Sequence, residues 1–192
     1  MKTIVIFDLE ATCWENGEKL TRVDSEIIEI GAVRIDKETG EIVDTFSRFI
    51  KPHFNPELSQ YCKNLTSITQ DLVDTADEFY DVIPEFVAWL GDDDEYIMSW
   101  GMYDKNQILR EGTIKNFYLL DIETLLNHKH LNMKERFSYV FNVNHCGLSK
   151  ALKYLKLRFE GTHHRGIDDA INMALIYKKT KDVIFGNRLN TI

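Results

Sequence analysis

The chain has 192 residues, of which 44% are hydrophobic and 28% charged, and its formal net charge is −8. That length suits one domain, spanning residues 1–192, with a core large enough to need no disulfide or structural metal, and the composition excludes a mainly disordered chain. No apolar run approaches the ~20 residues of a membrane span, Asp8 ends the N-terminal run too early for a signal peptide, and three scattered cysteines (Cys13, Cys62, Cys146) suggest reduced thiols in a cytoplasmic protein.

In chain order, residues 3–10 carry the apolar run Ile4-Val5-Ile6-Phe7, which predicts a strand buried on both faces. Residues 27–35 and 42–50 are rich in β-branched side chains and flank Asp36-Lys37-Glu38-Thr39-Gly40-Glu41, the pattern of a hairpin. Residues 51–77 read as irregular with short helical turns. Phe79, Val82, Ile83, Phe86, Trp89 and Leu90 recur at helical spacing, with Pro84 near the start and Gly91 as a stop. Asp92-Asp93-Asp94 leads into a short strand at Tyr96-Ile97-Met98; residues 105–111 read as a helix and 117–122 as a further strand. Two helices close the chain, at 148–155 and 167–179, the second with Ile167, Ala170, Ile171, Ala174 and Leu175 in one apolar stripe. This order predicts an α/β layered domain with a mixed sheet, a hairpin at one edge and parallel strands at the other.

The charge is uneven. Residues 1–99 carry a net −14, residues 100–149 a net +1 and residues 150–192 a net +5. The C-terminal quarter can meet a polyanion; the N-terminal half cannot do so unaided.

Three segments hold residues suited to chemistry. Asp8 and Glu10 alternate along the first strand, so both carboxylates leave it on one face. Like charges that close raise each other's pKa, and a divalent cation relieves the repulsion. Trp100-Gly101-Met102-Tyr103-Asp104 follows the strand at Tyr96, and ligands gather at the carboxyl ends of strands in open α/β sheets. Asp104 alone could equally be a helix N-cap. In Gly161-Thr162-His163-His164-Arg165-Gly166-Ile167-Asp168-Asp169, a His precedes an Asp by five residues at the entry to an amphipathic helix. Four carboxylates on three separated segments suit two divalent ions, and hard oxygen donors favour Mg²⁺ or Mn²⁺ over zinc. Such a pair of ions can clamp a phosphodiester displacement, with a nearby histidine accepting the proton of the attacking water.

These motifs resemble those of the DEDDh 3′→5′ exonucleases of the RNase H-like fold. Phe7-Asp8-Leu9-Glu10-Ala11-Thr12 resembles the first motif and Trp100 through Asp104 the second. His164 through Asp169 resembles the third, His-x-Ala-x-x-Asp, with Gly166 in place of the alanine. Glu10-Ala11-Thr12-Cys13, Ser25-Glu26-Ile27-Ile28-Glu29-Ile30-Gly31-Ala32 and Asn64-Leu65-Thr66-Ser67-Ile68-Thr69-Gln70 resemble one branch. That branch holds the exoribonucleases that trim histone-mRNA and small-RNA 3′ ends and the bacterial sporulation-inhibitor (KapD-like) exonucleases. The resemblance implies a mixed five-stranded sheet with an antiparallel hairpin, flanked by helices. It implies Asp8, Glu10, Asp104 and Asp169 as ligands of two Mg²⁺ or Mn²⁺ ions and His164 as general base. Ala11 and Thr12 backbone groups would meet the terminal nucleotide, Leu65 would pack near it, and Trp100 and Tyr103 would be stacking platforms. Arg165 would face the substrate's phosphates.

The activity so implied is removal of 5′-mononucleotides from the 3′ end of single-stranded nucleic acid, RNA more than DNA, by a bare catalytic domain with no added nucleic-acid-binding domain and no membrane partner. A catalytically silent binding protein on the same fold would lack one of the five site residues, and all five are present. A metal phosphatase would need a different nucleophile or a closed small-molecule pocket.

Overall fold

The computed structural model describes residues 2–15, 25–91, 94–117 and 120–184. The long apolar run forms β1 (Thr3–Ala11) at the centre of a five-stranded sheet. β2 (Ile27–Asp36) pairs antiparallel with it, and β3 (Ile42–Phe49) pairs antiparallel with β2. On the other side β4 (Asp94–Ser99) and β5 (His130–Asn132) run parallel to β1, giving the order β3-β2-β1-β4-β5. The hairpin edge and the parallel edge both stand as the sequence predicts.

Helices cover both faces, as a sheet with buried strands on each side requires. On one face α3 (Phe79–Leu90), with Val82, Ile83 and Phe86, packs with α4 (Tyr103–Ile114) and α5 (Leu120–Lys129) against Val5, Phe7 and Ile97. On the other, α6 (Met133–Phe141), α7 (Leu148–Tyr154) and α8 (Gly166–Ile184) enclose Ile4, Ile6 and Val33. Two short helices, α1 (Gln60–Thr66) and α2 (Gln70–Asp74), occupy the stretch read as helical turns. Among the described residues no helix is long and apolar enough to cross a membrane, and the three cysteines are free thiols.

Two expectations need correction. Of the strand expected at 117–122, residues 118–119 lie outside the described residues, and Leu120 through Ile122 begin α5 instead. Ile122 and Leu126 are the buried pair, an i, i+4 spacing that a short apolar window cannot separate from a strand. The fifth strand is β5, which pairs Ile97 with His130 and runs straight into α6, a helix the sequence reading omitted.

One close approach sets the site. Asp8 lies opposite Gly31 in the β1–β2 register, and the start of α8 crosses directly over this point. A Cβ on Gly31 would stand 1.9 Å from the Ile167 nitrogen, so only glycine lets α8 descend this far. A Cβ on Gly166 would stand 3.0 Å from the Asp8 carbonyl oxygen, which accounts for the smallest residue at that motif position.

Candidate active site

β1 delivers Asp8 and Glu10 from one face, and α8, seated on Gly31, brings Asp169 and the preceding His164 to them. Donor atoms of Glu10, His164 and Asp169 all lie within 4.8 Å of one another. Asp104 arrives from the first turn of α4, where Met102 holds the N-cap position and Asp104 does not. Its Oδ1 instead accepts the Leu9 N–H at 3.3 Å, fastening it to β1 between the two strand acids.

The site is a concentration of negative charge removed from water. Burial first, then repulsion from Asp104, Asp169, Glu10 and Glu29, drives the Asp8 carboxyl well above its ordinary range. Burial and the neighbouring Asp169, Glu29 and Asp104 push Glu10 up to about 8. Burial raises Asp169 to about 7 against the opposing His164 backbone N–H. It raises Asp104 to about 6, against hydrogen bonds and the charge of Lys134. For His164 the shift is downward, from desolvation and the adjacent His163.

A stability prediction follows from these directions. Between the ordinary carboxylate range near pH 4 and about pH 8 the folded chain holds protons that the unfolded chain has released, so stability falls as pH rises across that window. In EDTA the melting temperature is expected to drop from pH 5 to pH 8, and Mg²⁺ or Mn²⁺ to raise it more at pH 8 than at pH 5. A melting temperature in EDTA that climbs over this range would contradict the mutual repulsion.

The family model described as Exonuclease, of the RNase T type, matches residues 5–177. The chain belongs to this exonuclease family. It is 33% identical to human 3′-5′ exoribonuclease 1 over 183 residues, covering 90% of this chain and 50% of that protein. It is 30% identical to the 3′-5′ exonuclease eri1 of Schizosaccharomyces pombe over 205 residues, covering 93% and 68%. The nuclease domain of 3′hExo, a DEDDh family member whose crystal structure contains rAMP, superposes with a TM-score of 0.86 at 30% identity, over 99% of this chain and 96% of that domain. The chain spans about half the length of the first curated relatives it matches.

Two clefts lie at this end of the exonuclease domain, and the second is lined by site residues. One, of about 490 Å³, runs between Thr12, Cys13, Trp14 and Ser25 and the α4 residues Tyr103 and Asn106. The other, of about 320 Å³, opens at His164 and Asp169 between Ser149 and Lys150. Tyr103, 54% exposed, stands at the rim of the first, its hydroxyl 3.3 Å from Ser25 Oγ. Leu65 is partly exposed on α1, which is fastened beside the end of β1 by the Ser59 hydroxyl donating to the Cys13 carbonyl at 2.6 Å. Ala11 ends β1 next to the acid pair.

Three sequence expectations fail here. Trp100 is not a stacking platform: it is 9% exposed, packs on Phe137 and donates its indole N–H to the Cys146 carbonyl. Thr12 has no free N–H for a nucleotide, because that group donates to the Glu26 carbonyl at 2.8 Å and its hydroxyl accepts the Glu26 N–H at 2.9 Å. Arg165 does not face outward for phosphates. It forms a bidentate pair with Glu29, at 3.1 and 3.2 Å, over the Phe49 ring.

Glu29 is the residue the sequence reading passed over. Fully buried opposite Glu10, it also accepts the Gly166 N–H at 3.0 Å and so fixes the start of α8. Its signal was an acid inside the β-branched run Ile27 to Ile30, where an unpaired charge would be prohibitive. Asp168 turns away, accepting the Thr162 N–H at 2.8 Å, and leaves Asp169 to the site.

Proposed function

We propose that this chain is a divalent-metal-dependent 3′→5′ exonuclease acting on single-stranded ends, RNA in preference to DNA, and releasing 5′-mononucleotides. The observation that carries the reading is the group of Glu10, His164 and Asp169 donor atoms within 4.8 Å of one another, with Asp8 beside Glu10 on β1 and Asp104 fastened to the Leu9 N–H between the two strand acids. Relatives named as exoribonucleases support the RNA preference.

Hard carboxylate oxygens, whose burial and mutual repulsion raise their proton affinity, fit a pair of Mg²⁺ or Mn²⁺ ions, and these four acids would hold them. Such ions, when bound, supply electrostatic stabilisation of the phosphodiester displacement. His164, held below its ordinary range, is a neutral imidazole at neutral pH and can accept the proton of the attacking water. Water oxygen bonds to phosphorus as the bond from phosphorus to the 3′-oxygen breaks, so the phosphate stays on the 5′ side of the released nucleotide. Tyr103 offers an exposed ring face for a base, a contact of ~1–3 kcal/mol, while Leu65 and Ala11 bound the terminal nucleotide.

The test uses a 5′-labelled single-stranded oligoribonucleotide with Mn²⁺. Stepwise shortening from the 3′ end with 5′-mononucleotide products is expected, arrested by EDTA and slowed by a bulky 3′-block. Efficient cutting of a circular single strand would overturn the reading in favour of an endonuclease.

A further inference from the structure

The uneven charge of the sequence has a definite place in the fold. In a chain with 31 acids among 192 residues, residues 136–159 hold none, and Lys150, Lys153, Lys156 and Arg158 crowd into the last part of that stretch. Its exposed centre is α7, which buries Ala151 and Leu152 in the core and turns Ser149, Lys150, Lys153 and Tyr154 outward. Lys156 and Arg158 are exposed just beyond the end of α7. None of the four cations makes an ion pair among the described residues. Lys150 and Lys153 are neighbours on the helix surface, and like charges so placed repel unless a counter-charge binds. A polyanion supplies that counter-charge over several residues at once.

This surface is continuous with the site. Ser149 and Lys150 line the cleft of about 320 Å³ that also holds His163, His164 and Asp169. Ser149 Oγ lies 3.4 Å from His163 Nδ1, joining the start of α7 to the segment that carries His164. A strand whose terminal nucleotide sits at the acids must carry its remaining phosphates away from them. Residues 1–99, at a net −14, offer those phosphates no attraction, and Arg165 is engaged by Glu29. The cleft beside His164 leads instead past Lys150, with the other three cations next in the chain.

We propose that the exposed face of α7 and the residues just after it form the surface along which single-stranded RNA leaves the site, with Lys150, Lys153, Lys156 and Arg158 contacting backbone phosphates upstream of the scissile linkage. This rests on the exonuclease reading and adds to it a path for the part of the substrate that is not being cut. Contacts of this kind are indifferent to base sequence, sensitive to salt, and felt only by substrates long enough to reach them.

The experiment removes three charges at each of two places. One variant is K153Q/K156Q/R158Q, which leaves Lys150 on the cleft wall. The other, K2Q/K37Q/K178Q, changes the net charge equally at the end of the sheet where β1 begins, where the Lys37 N–H donates to the Lys2 carbonyl and Lys178 packs on Gly40. Binding of a fluorescent oligoribonucleotide of about 12 nucleotides is followed by anisotropy over a salt series in the Asp8→Asn background. Steady-state rates on that oligonucleotide and on a dinucleotide are followed in the otherwise native chain. The α7 variant is expected to bind the oligonucleotide about tenfold more weakly, with a salt slope lower by about 2, at ~0.7 for each lost phosphate contact. Its KM for the oligonucleotide should rise more than its kcat falls, at an unchanged melting temperature. Its turnover of the dinucleotide should match wild type, because the single phosphate lies at the acids. The variant at the far end should stay within about twofold of wild type throughout, its charges being screened from the strand. Binding and salt slope in the α7 variant equal to those of the far-end variant would overturn the proposal, as would an equal rise in KM for the dinucleotide. If the native chain shortens no RNA in Mn²⁺, the exonuclease reading falls, whereas the anisotropy series still decides whether α7 holds the strand.

Discussion

Asp8→Asn is expected to abolish hydrolysis while making the metal-free protein more stable. Asp8 is raised by its burial first and then by Asp104, Asp169, Glu10 and Glu29, so it lies among the other acids of the cluster. Loss of this carboxylate would remove a shared metal ligand. Several kcal/mol of transition-state stabilisation is at stake, which corresponds to about 10³-fold or more in kcat. The same change removes a charge that the fold confines against its repulsion, and Asn is nearly isosteric. The melting temperature in EDTA at pH 8 should therefore rise, and the rise should shrink as the pH is lowered and the native carboxyl takes up its proton. Opposite signs in activity and stability are the signature of a functional cluster, because a structural acid would lose both. Turnover within tenfold of wild type in Asp8→Asn would remove the basis for assigning metal ligands to this site.

The sheet's centre was legible because its determinants are local. Ile4 to Phe7 are uninterrupted and belong on a strand buried on both faces, and the β-branched runs either side of Gly40 can only fold back on each other. The parallel edge was legible in kind but not in place. β5 is three residues long, with no period to detect, and it is a strand because Ile97 reaches His130 across 33 positions. The acids of the site were visible as types and spacings. The reasons they converge were not, since these rest on non-local contacts: Gly31 beneath Ile167, Leu9 N–H on Asp104, and Glu29 beneath Gly166. Trp100 and Tyr103 show the same limit. Three residues apart in one segment, one fills the core beside Phe137 and the other projects into solvent, a difference set by the turn at Gly101 with its φ of +126°.

His164→Asn is expected to lose about 10²–10⁴ in kcat, and His163→Ala to stay within about tenfold of wild type. The two imidazoles are adjacent in sequence and line one cleft, but they make different contacts. His163 stacks on Phe159 with ring centroids 3.7 Å apart, and its Nδ1 lies 3.4 Å from Ser149 Oγ. His164 reaches the Glu10 and Asp169 carboxylates instead. The backbone makes the division, for His164 has φ +59°, a left-handed residue two positions before α8 begins. Asparagine tolerates that conformation better than alanine, so His164→Asn keeps the turn while removing the base, and its loss of rate cannot be assigned to a collapsed loop. Binding of Mn²⁺ and of single strands should survive in His164→Asn, because the four carboxylates remain. Single-turnover rates separate the proton-accepting role from product release. If His163→Ala proves the more damaged of the two, the base has been assigned to the wrong ring.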